Sequence, residues 1–171
     1  MKSVLETGRL TLVPFAKDLA LLHDTFTNPF VREYLWDDET ISPEQTSDIL
    51  DTNLQAFDNE SWGLWKILLK KDRAYVGFAG LWIFFEETQP QLLYGLLPES
   101  TGRGYATEAA AAVVDYAFDQ LGFSYLTASF DTPHIASRRV CQNLDMEEMN
   151  TTRINGKLTT FYRIEKKVVR Q

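Results

Sequence analysis

In this 171-residue chain the stretch whose residue types could do chemistry is Thr101-Gly102-Arg103-Gly104-Tyr105-Ala106. Two glycines flank an arginine, and a glycine lets backbone amides approach a ligand in conformations that a Cβ forbids. Ahead of it, the run Leu92 to Leu97 is apolar without alternation, as in a strand covered on both faces, and Pro98 stops it. Behind it, Ala106, Ala110, Val113, Val114, Ala117 and Leu121 recur at helical spacing, with Gly122 placed as the C-cap. A strand that passes through a glycine turn into a helix gathers unpaired N–H groups and the positive end of a helix dipole, which makes a cradle for an anion. The same pattern also serves as a plain structural turn. A nucleotide P-loop needs Lys and then Ser or Thr after its second glycine, whereas Tyr105 and Ala106 follow Gly104. A dinucleotide fingerprint needs a third small residue where Thr107 stands, and a place early in the chain.

A second group is Asp131-Thr132-Pro133-His134-Ile135-Ala136-Ser137-Arg138, leading into a short helix with Ala136, Val140 and Leu144 on one face. His134 falls at the helix start, where the dipole disfavours a charged imidazole. Cys141 has no basic partner in sequence and reads as a small buried hydrophobe. Trp36 beside Asp37 and Asp38 joins an aromatic face to carboxylates, which suits a cationic substrate. With two histidines and one cysteine far apart, no metal site and no internal disulfide framework is expected.

Thr101 to Ala106 resembles the acetyl-CoA pyrophosphate loop of the GNAT N-acetyltransferases, Gln/Arg-x-x-Gly-x-Gly/Ala, with Thr101 departing at the first position. The longer string Gly102 to Ala109 is similar to the branch that includes the Rim-type ribosomal-protein alanine N-acetyltransferases, as is the opening Glu6-Thr7-Gly8-Arg9-Leu10. The resemblance implies that residues Thr101 to Thr107 hold the CoA diphosphate. It also implies that a splayed central strand leaves main-chain groups of Leu96 and Leu97 for the pantetheine arm, one N–H polarising the thioester. His134 stands where the family's second motif has asparagine, Asp145-Met146 where it has Gly-Phe, and Cys141 where many members carry a tyrosine acid. Ser137 matches the Rim-type donor to the leaving thiolate, and Arg138 or Arg139 is implied for the 3′-phosphate. Gln91 stands where many members place a glutamate base; relayed water, Glu86, Glu87 and Asp131 remain open for that role. An α-amine of pKa ~8 needs far less help from a base than a lysine at ~10.4.

These residues need a scaffold, and the chain supplies one. The length and 44% hydrophobic content suit a single domain over 1–171. The net charge of -7 argues against a nucleic-acid partner, and either favours a cationic acceptor or serves solubility. No signal peptide is evident, and the longest apolar stretch, Val76 to Phe85, is too short for a membrane span, so a cytoplasmic protein is expected. Leu10 to Phe15 alternates as a strand. Asp18 to Tyr34 is helical with a break at Asn28-Pro29, and Ser42-Pro43 with Gln45 forms a capping box for a helix to about Phe57. Trp62 to Lys70 and Arg73 to Phe84 read as a hairpin, Tyr125 to Phe130 as a strand, and Asn155-Gly156 as the turn of a last hairpin. This order resembles the GNAT fold throughout. It implies an α+β three-layer architecture with a mixed, mostly antiparallel, splayed seven-stranded sheet and about four helices.

The function expected is acetyl transfer from acetyl-CoA to a primary amine in a ternary complex, without a metal, by a monomer or homodimer. The acceptor is a protein N-terminus or a small amine drawn by the acidic loop Asp37 to Glu39. A catalytically silent CoA-binding module is the reading from another class, motivated by Gln91, Cys141 and the altered second motif. A nucleotide-binding oxidoreductase is a third and weaker one.

Overall fold

The computed structural model describes residues 3–35, 38–84 and 87–168. Strands β1 (Leu5–Glu6), β2 (Leu10–Pro14), β3 (Leu64–Leu69), β4 (Tyr75–Trp82) and β5 (Gln91–Leu96) form one antiparallel sheet in that order. Strands β6 (Tyr125–Asp131), β7 (Glu147–Ile154) and β8 (Lys157–Glu165) form a second, with β8 in the middle. β5 and β6 run side by side in parallel but share no backbone ladder. Side chains bridge them at one end, where Gln89 donates to the Tyr125 carbonyl at 2.7 Å and Ser129 to Gln91 at 2.6 Å.

Helices α1 (Leu19–Thr27), α2 (Pro29–Arg32) and α3 (Pro43–Glu60) cover one face, and α4 (Tyr105–Asp119) and α5 (Ile135–Asn143) the other. The first two part at Asn28, whose side chain accepts from the Phe30 amide, because Pro29 cannot continue a helix but can start one. Ser42 and Gln45 cap α3 reciprocally. Asn155 and Gly156, at φ 49° and 80°, make the primed turn between β7 and β8. One core cluster, with Leu12, Ile67, Leu81, Val113 and Ala117, lies under α4; the other, with Phe15, Leu22, Phe26 and Phe78, lies under α1 and α3. Buried Asn53 ties α3 to the sheet by donating to the Phe15 carbonyl and accepting the Leu64 amide at 2.7 Å.

The three-layer α+β architecture is as expected, with eight strands in two antiparallel sheets and five α-helices among the described residues in place of seven strands and about four. β1 is two residues long, too short for a periodicity to register, and α2 is the piece of the helical stretch that the break at Asn28-Pro29 sets apart. β5 is central in position yet ends its hydrogen-bonded sheet. Leu93 to Leu96 are only partly covered, because their free edge opens onto the gap before β6. Among the described residues no helix is long and apolar enough to cross a membrane, and no cluster of His, Cys, Asp and Glu gathers that could hold a metal.

Candidate active site

The chain leaves β5 through a 3-10 turn, Pro98–Ser100, and enters the glycine loop. Gly102 and Gly104 both take left-handed φ, 79° and 82°, and Gly104 is the N-cap of α4. These are the conformations that exclude most side chains. Among the described residues no partner accepts from the amides of Gly102 to Thr107, so the loop and the first turn of α4 present a row of open donors. Thr101 is turned back instead, its hydroxyl donating to the Pro98 carbonyl at 2.9 Å.

A clasp from the start of the chain fixes this loop. Arg9 donates from Nε to Glu108 at 2.8 Å and from Nη1 to the Arg103 carbonyl at 2.9 Å, and its guanidinium lies 4.7 Å above the Tyr105 ring. The Thr7 hydroxyl and the Arg9 amide hold the other Glu108 oxygen. Burial alone would raise the Glu108 carboxyl, but the bonds from Thr7 and Arg9 and the guanidinium charge outweigh it and keep it below the usual range. In the sequence Thr7-Gly8-Arg9 and Glu108 stand in two separate family strings. The pairing across some hundred residues has no local signal.

Just past the end of β5 the Leu97 amide donates to the Val76 carbonyl, and the Leu97 carbonyl accepts from Ser100. Both Leu97 main-chain groups are therefore taken, which corrects the expectation that they are open to the pantetheine arm. The same bond sets the phase of the antiparallel ladder, so it is Leu96, paired in register with Gly77, that turns its N–H and C=O toward the gap.

The gap holds a cavity of about 90 Å³ lined by Leu96, Ser129, His134 and Ser137 among others. It adjoins a second, of about 210 Å³, that adds Asp131, Lys157 and Thr159 and shares Tyr34, Leu35, Leu93, Ser129 and Phe130 with the first. A larger cleft of about 530 Å³, lined by Trp62, Pro90 and Tyr125, lies toward the opposite end of β5; residues 102–107 line none of the three.

In the smaller cavity buried Ser137 sits 2.8 Å from His134 Nδ1, and the imidazole stacks on Tyr34 at 4.3 Å with Phe130 at its edge. Burial pushes the imidazole down to about 4, so His134 is neutral near pH 7. The Tyr94 hydroxyl donates to the Ser137 carbonyl at 3.0 Å and lies 3.4 Å from Cys141 Sγ. Burial and the neighbouring thiol raise the Tyr94 phenol well above its ordinary value, and burial likewise raises the fully buried Cys141 thiol. Cys141 is a protonated core residue, as its sequence context suggests.

Gln91 is buried, donating to the Glu87 carboxylate and accepting from Ser129. Of the carboxylates left open as bases, Glu87 is thus engaged, Asp131 lines the larger cavity with Lys157 at 3.8 Å, and Glu86 lies outside the described residues. Trp36 and Asp37 also lie outside them. Asp38, expected with those two to meet a cationic substrate, is exposed and paired to Arg32 at 2.9 Å. Arg138 pairs with Glu148 at 2.6 Å and bonds Tyr162, so it serves the β7–β8 hairpin and is not the open cation implied for the 3′-phosphate. Arg139 is exposed, one turn before Asn143, whose amide reaches the Thr107 hydroxyl at the start of α4.

The chain is similar to known proteins in sequence and in fold. The model of the acetyltransferase (GNAT) domain matches residues 9–147. An uncharacterized N-acetyltransferase of Bacillus subtilis, YoaA, is 25% identical over 155 residues, covering 90% of this chain and 88% of its own. The crystal structure of an acetyltransferase from Agrobacterium tumefaciens superposes with a TM-score of 0.84 at 23% identity, covering 97% of this chain and 96% of that one. RimL, a ribosomal alpha-N-protein acetyltransferase in complex with coenzyme A, superposes at 0.79 with 13% identity over 95% and 98% of the two chains.

Proposed function

This chain belongs to the GNAT acetyltransferase family, and from that premise we propose that it carries acetyl-CoA and a primary amine together and transfers the acetyl group directly between them. The observation that carries the reading is the row of unpartnered amides from Gly102 to Thr107, at a helix N-terminus that follows closely in sequence on the open edge at Leu96. That arrangement fits a ligand with a diphosphate at one end and amide groups along an arm. Gly102, Arg103, Gly104, Tyr105, Ala106 and Thr107 would hold the diphosphate, with Thr101 shaping the turn. Leu96 would pair with the arm.

Bound acetyl-CoA supplies a thioester, whose acetyl carbon takes the amine nitrogen's lone pair as the C–S bond breaks and the sulfur leaves with the electron pair. Leu96 N–H is the open donor for the developing negative charge on the acetyl oxygen. The Ser137 hydroxyl, beside neutral His134, hydrogen-bonds the leaving sulfur and relays a proton to it, which water in the cavity restores to the hydroxyl in the same step. Asp131, directly or through water in the larger cavity, takes the proton that the amine loses. With Gln91 in place of a glutamate, an α-amine or another amine of low pKa is the acceptor the site serves best, since it is already partly neutral near pH 7.

Calorimetry of acetyl-CoA binding to the protein and to Gly104→Val tests this reading. A β-branched residue at φ 82° is strongly disfavoured, and its Cβ would meet the Arg9 guanidinium at 3.4 Å. Roughly tenfold or greater loss of affinity is expected, from one to two kcal/mol of strain. Equal affinity in a folded variant would overturn the cradle.

A further inference from the structure

The two cavities beside β6 differ from the loop in what they can recognise. Tyr34, Leu35, Phe84, Leu93, Phe130 and Ile154 give the larger of them an apolar and aromatic side, and Ser129, Asp131, Asn155, Lys157 and Thr159 line the rest. The carboxylate among the described lining residues, Asp131, has Lys157 at 3.8 Å, and Asp38 is paired to Arg32. The described walls therefore carry no excess negative charge with which to select a polycation.

One polar group beside this apolar side is aimed by a chain of hydrogen bonds through buried Gln91. A carboxylate only accepts, so Glu87 obliges the Gln91 side chain to turn its nitrogen that way and its oxygen toward Ser129. The Ser129 hydroxyl must then donate to Gln91, at 2.6 Å, and its oxygen lone pairs are left facing the cavity that also contains Leu96 and Ser137. Gln91 thus sets Ser129 as an acceptor for an N–H in the space next to the reacting groups.

We propose that the acceptor is a primary amine borne on an apolar aliphatic or aromatic body, the body lying on the apolar side of the 210 Å³ cavity and one N–H of the amine resting on Ser129 Oγ. This rests on the acetyl-transfer reading above. A protein N-terminus with a large apolar first residue has this chemistry, as does a small arylalkylamine. A polyamine or an aminoglycoside does not, because each would place several unpaired charges against these walls.

Initial rates of CoA release from acetyl-CoA, measured with phenylalanine amide, leucine amide, glycine amide and spermidine, test it. The kcat/KM for the first two is expected to exceed that for the others roughly tenfold or more, as apolar pockets discriminate by the groups that fill them. Ser129→Ala is expected to raise the amine KM roughly three- to tenfold, the effect of one neutral hydrogen bond, with Ser129→Thr restoring it and the KM for acetyl-CoA unchanged in both. Rates for spermidine or glycine amide that equal or exceed those for phenylalanine amide would overturn the inference and leave the transferase reading intact. An unchanged amine KM in Ser129→Ala would overturn the role given to Ser129. Calorimetry with acetyl-CoA separates the remaining outcome: no turnover with binding removes this acceptor class, and no turnover without binding removes the acetyl-transfer reading itself.

Discussion

Replacing Arg9 by methionine is expected to loosen the glycine loop and weaken acetyl-CoA binding, although residue 9 lies far from the loop in sequence. The Arg9–Glu108 pair is half exposed on the arginine side, 50%, so it is worth less than about 1 kcal/mol. The bond to the Arg103 carbonyl adds about 0.5–1.5 kcal/mol and the guanidinium over Tyr105 about 0.5–1 kcal/mol. Methionine keeps part of the packing on that ring, which leaves about 1–2 kcal/mol lost. In a chain of this length that lowers Tm by roughly 2–8 °C. If the same energy orders the loop amides, the Kd for acetyl-CoA rises roughly five- to thirtyfold. Thermal melting and titration calorimetry, run in parallel at low and high salt, read both quantities; added salt should narrow the gap between the proteins, since a half-exposed pair is screened. Acid should act on the wild type in the same direction. The Glu108 carboxyl is lowered in the folded state, so its contribution is complete above the ordinary carboxylate pKa and is lost as pH falls through the lowered value. Wild-type melting temperature and wild-type affinity in Arg9→Met would refute the clasp. A lower melting temperature with unchanged affinity would refute its link to the loop.

Ser137→Ala should lower kcat roughly ten- to a hundredfold with little change in the KM for acetyl-CoA, measured by CoA release; an equal loss across a range of amines with poor thiol leaving groups restored by a better-leaving acyl thioester would identify proton donation to sulfur. Asn53→Ala strips the bridge between α3 and the Phe15 and Leu64 main chain and should cost about 2–4 kcal/mol in urea unfolding, because buried backbone groups lose their partners. His134, lowered from 6.5 to about 4 by burial, contributes stability that is complete above pH 6.5 and is lost as pH falls toward 4. His134→Asn should flatten urea midpoints across that window, and parallel pH profiles for the two proteins would dispose of the assignment.

What was legible in the sequence is what short-range chemistry controls. The Ser42–Gln45 box, the Asn28-Pro29 break, the Asn155-Gly156 turn and the glycines ahead of α4 each act over a few residues, and each is found where its signal stands. The layers followed from the family order and from the apolar periodicity. Features that depend on which distant atoms meet did not show. Arg138 and Asp38 read as open charges until the fold brings Glu148 to the one and the α2 cation Arg32 to the other. Leu96 and Leu97 look equivalent in a run of leucines, and only the bond from Leu97 to Val76 decides which of them faces the gap. Gln91 reads as a missing base, whereas in place it is a buried link that orients Ser129.

The split between the two sheets has a physical cause that bears on the whole site. At its closed end, side chains of Gln89 and Ser129 do the pairing that a backbone ladder would do. At its open end, Tyr94 spans from β5 to α5 and bonds the Ser137 carbonyl, so a phenol ring fixes how closely the helix can approach, and Pro98 turns the chain out of the sheet plane. The result is a peptide edge at Leu96 and a run of loop amides from Gly102 that lack partners within a few residues of each other. Leaving such donors unmet costs on the order of 1–3 kcal/mol each wherever water is excluded. A turn kept only for structure would account for the glycines but not for an adjacent strand left unpaired along the same path. One elongated ligand, anionic at the helix end and amide-bearing along the strand, accounts for both.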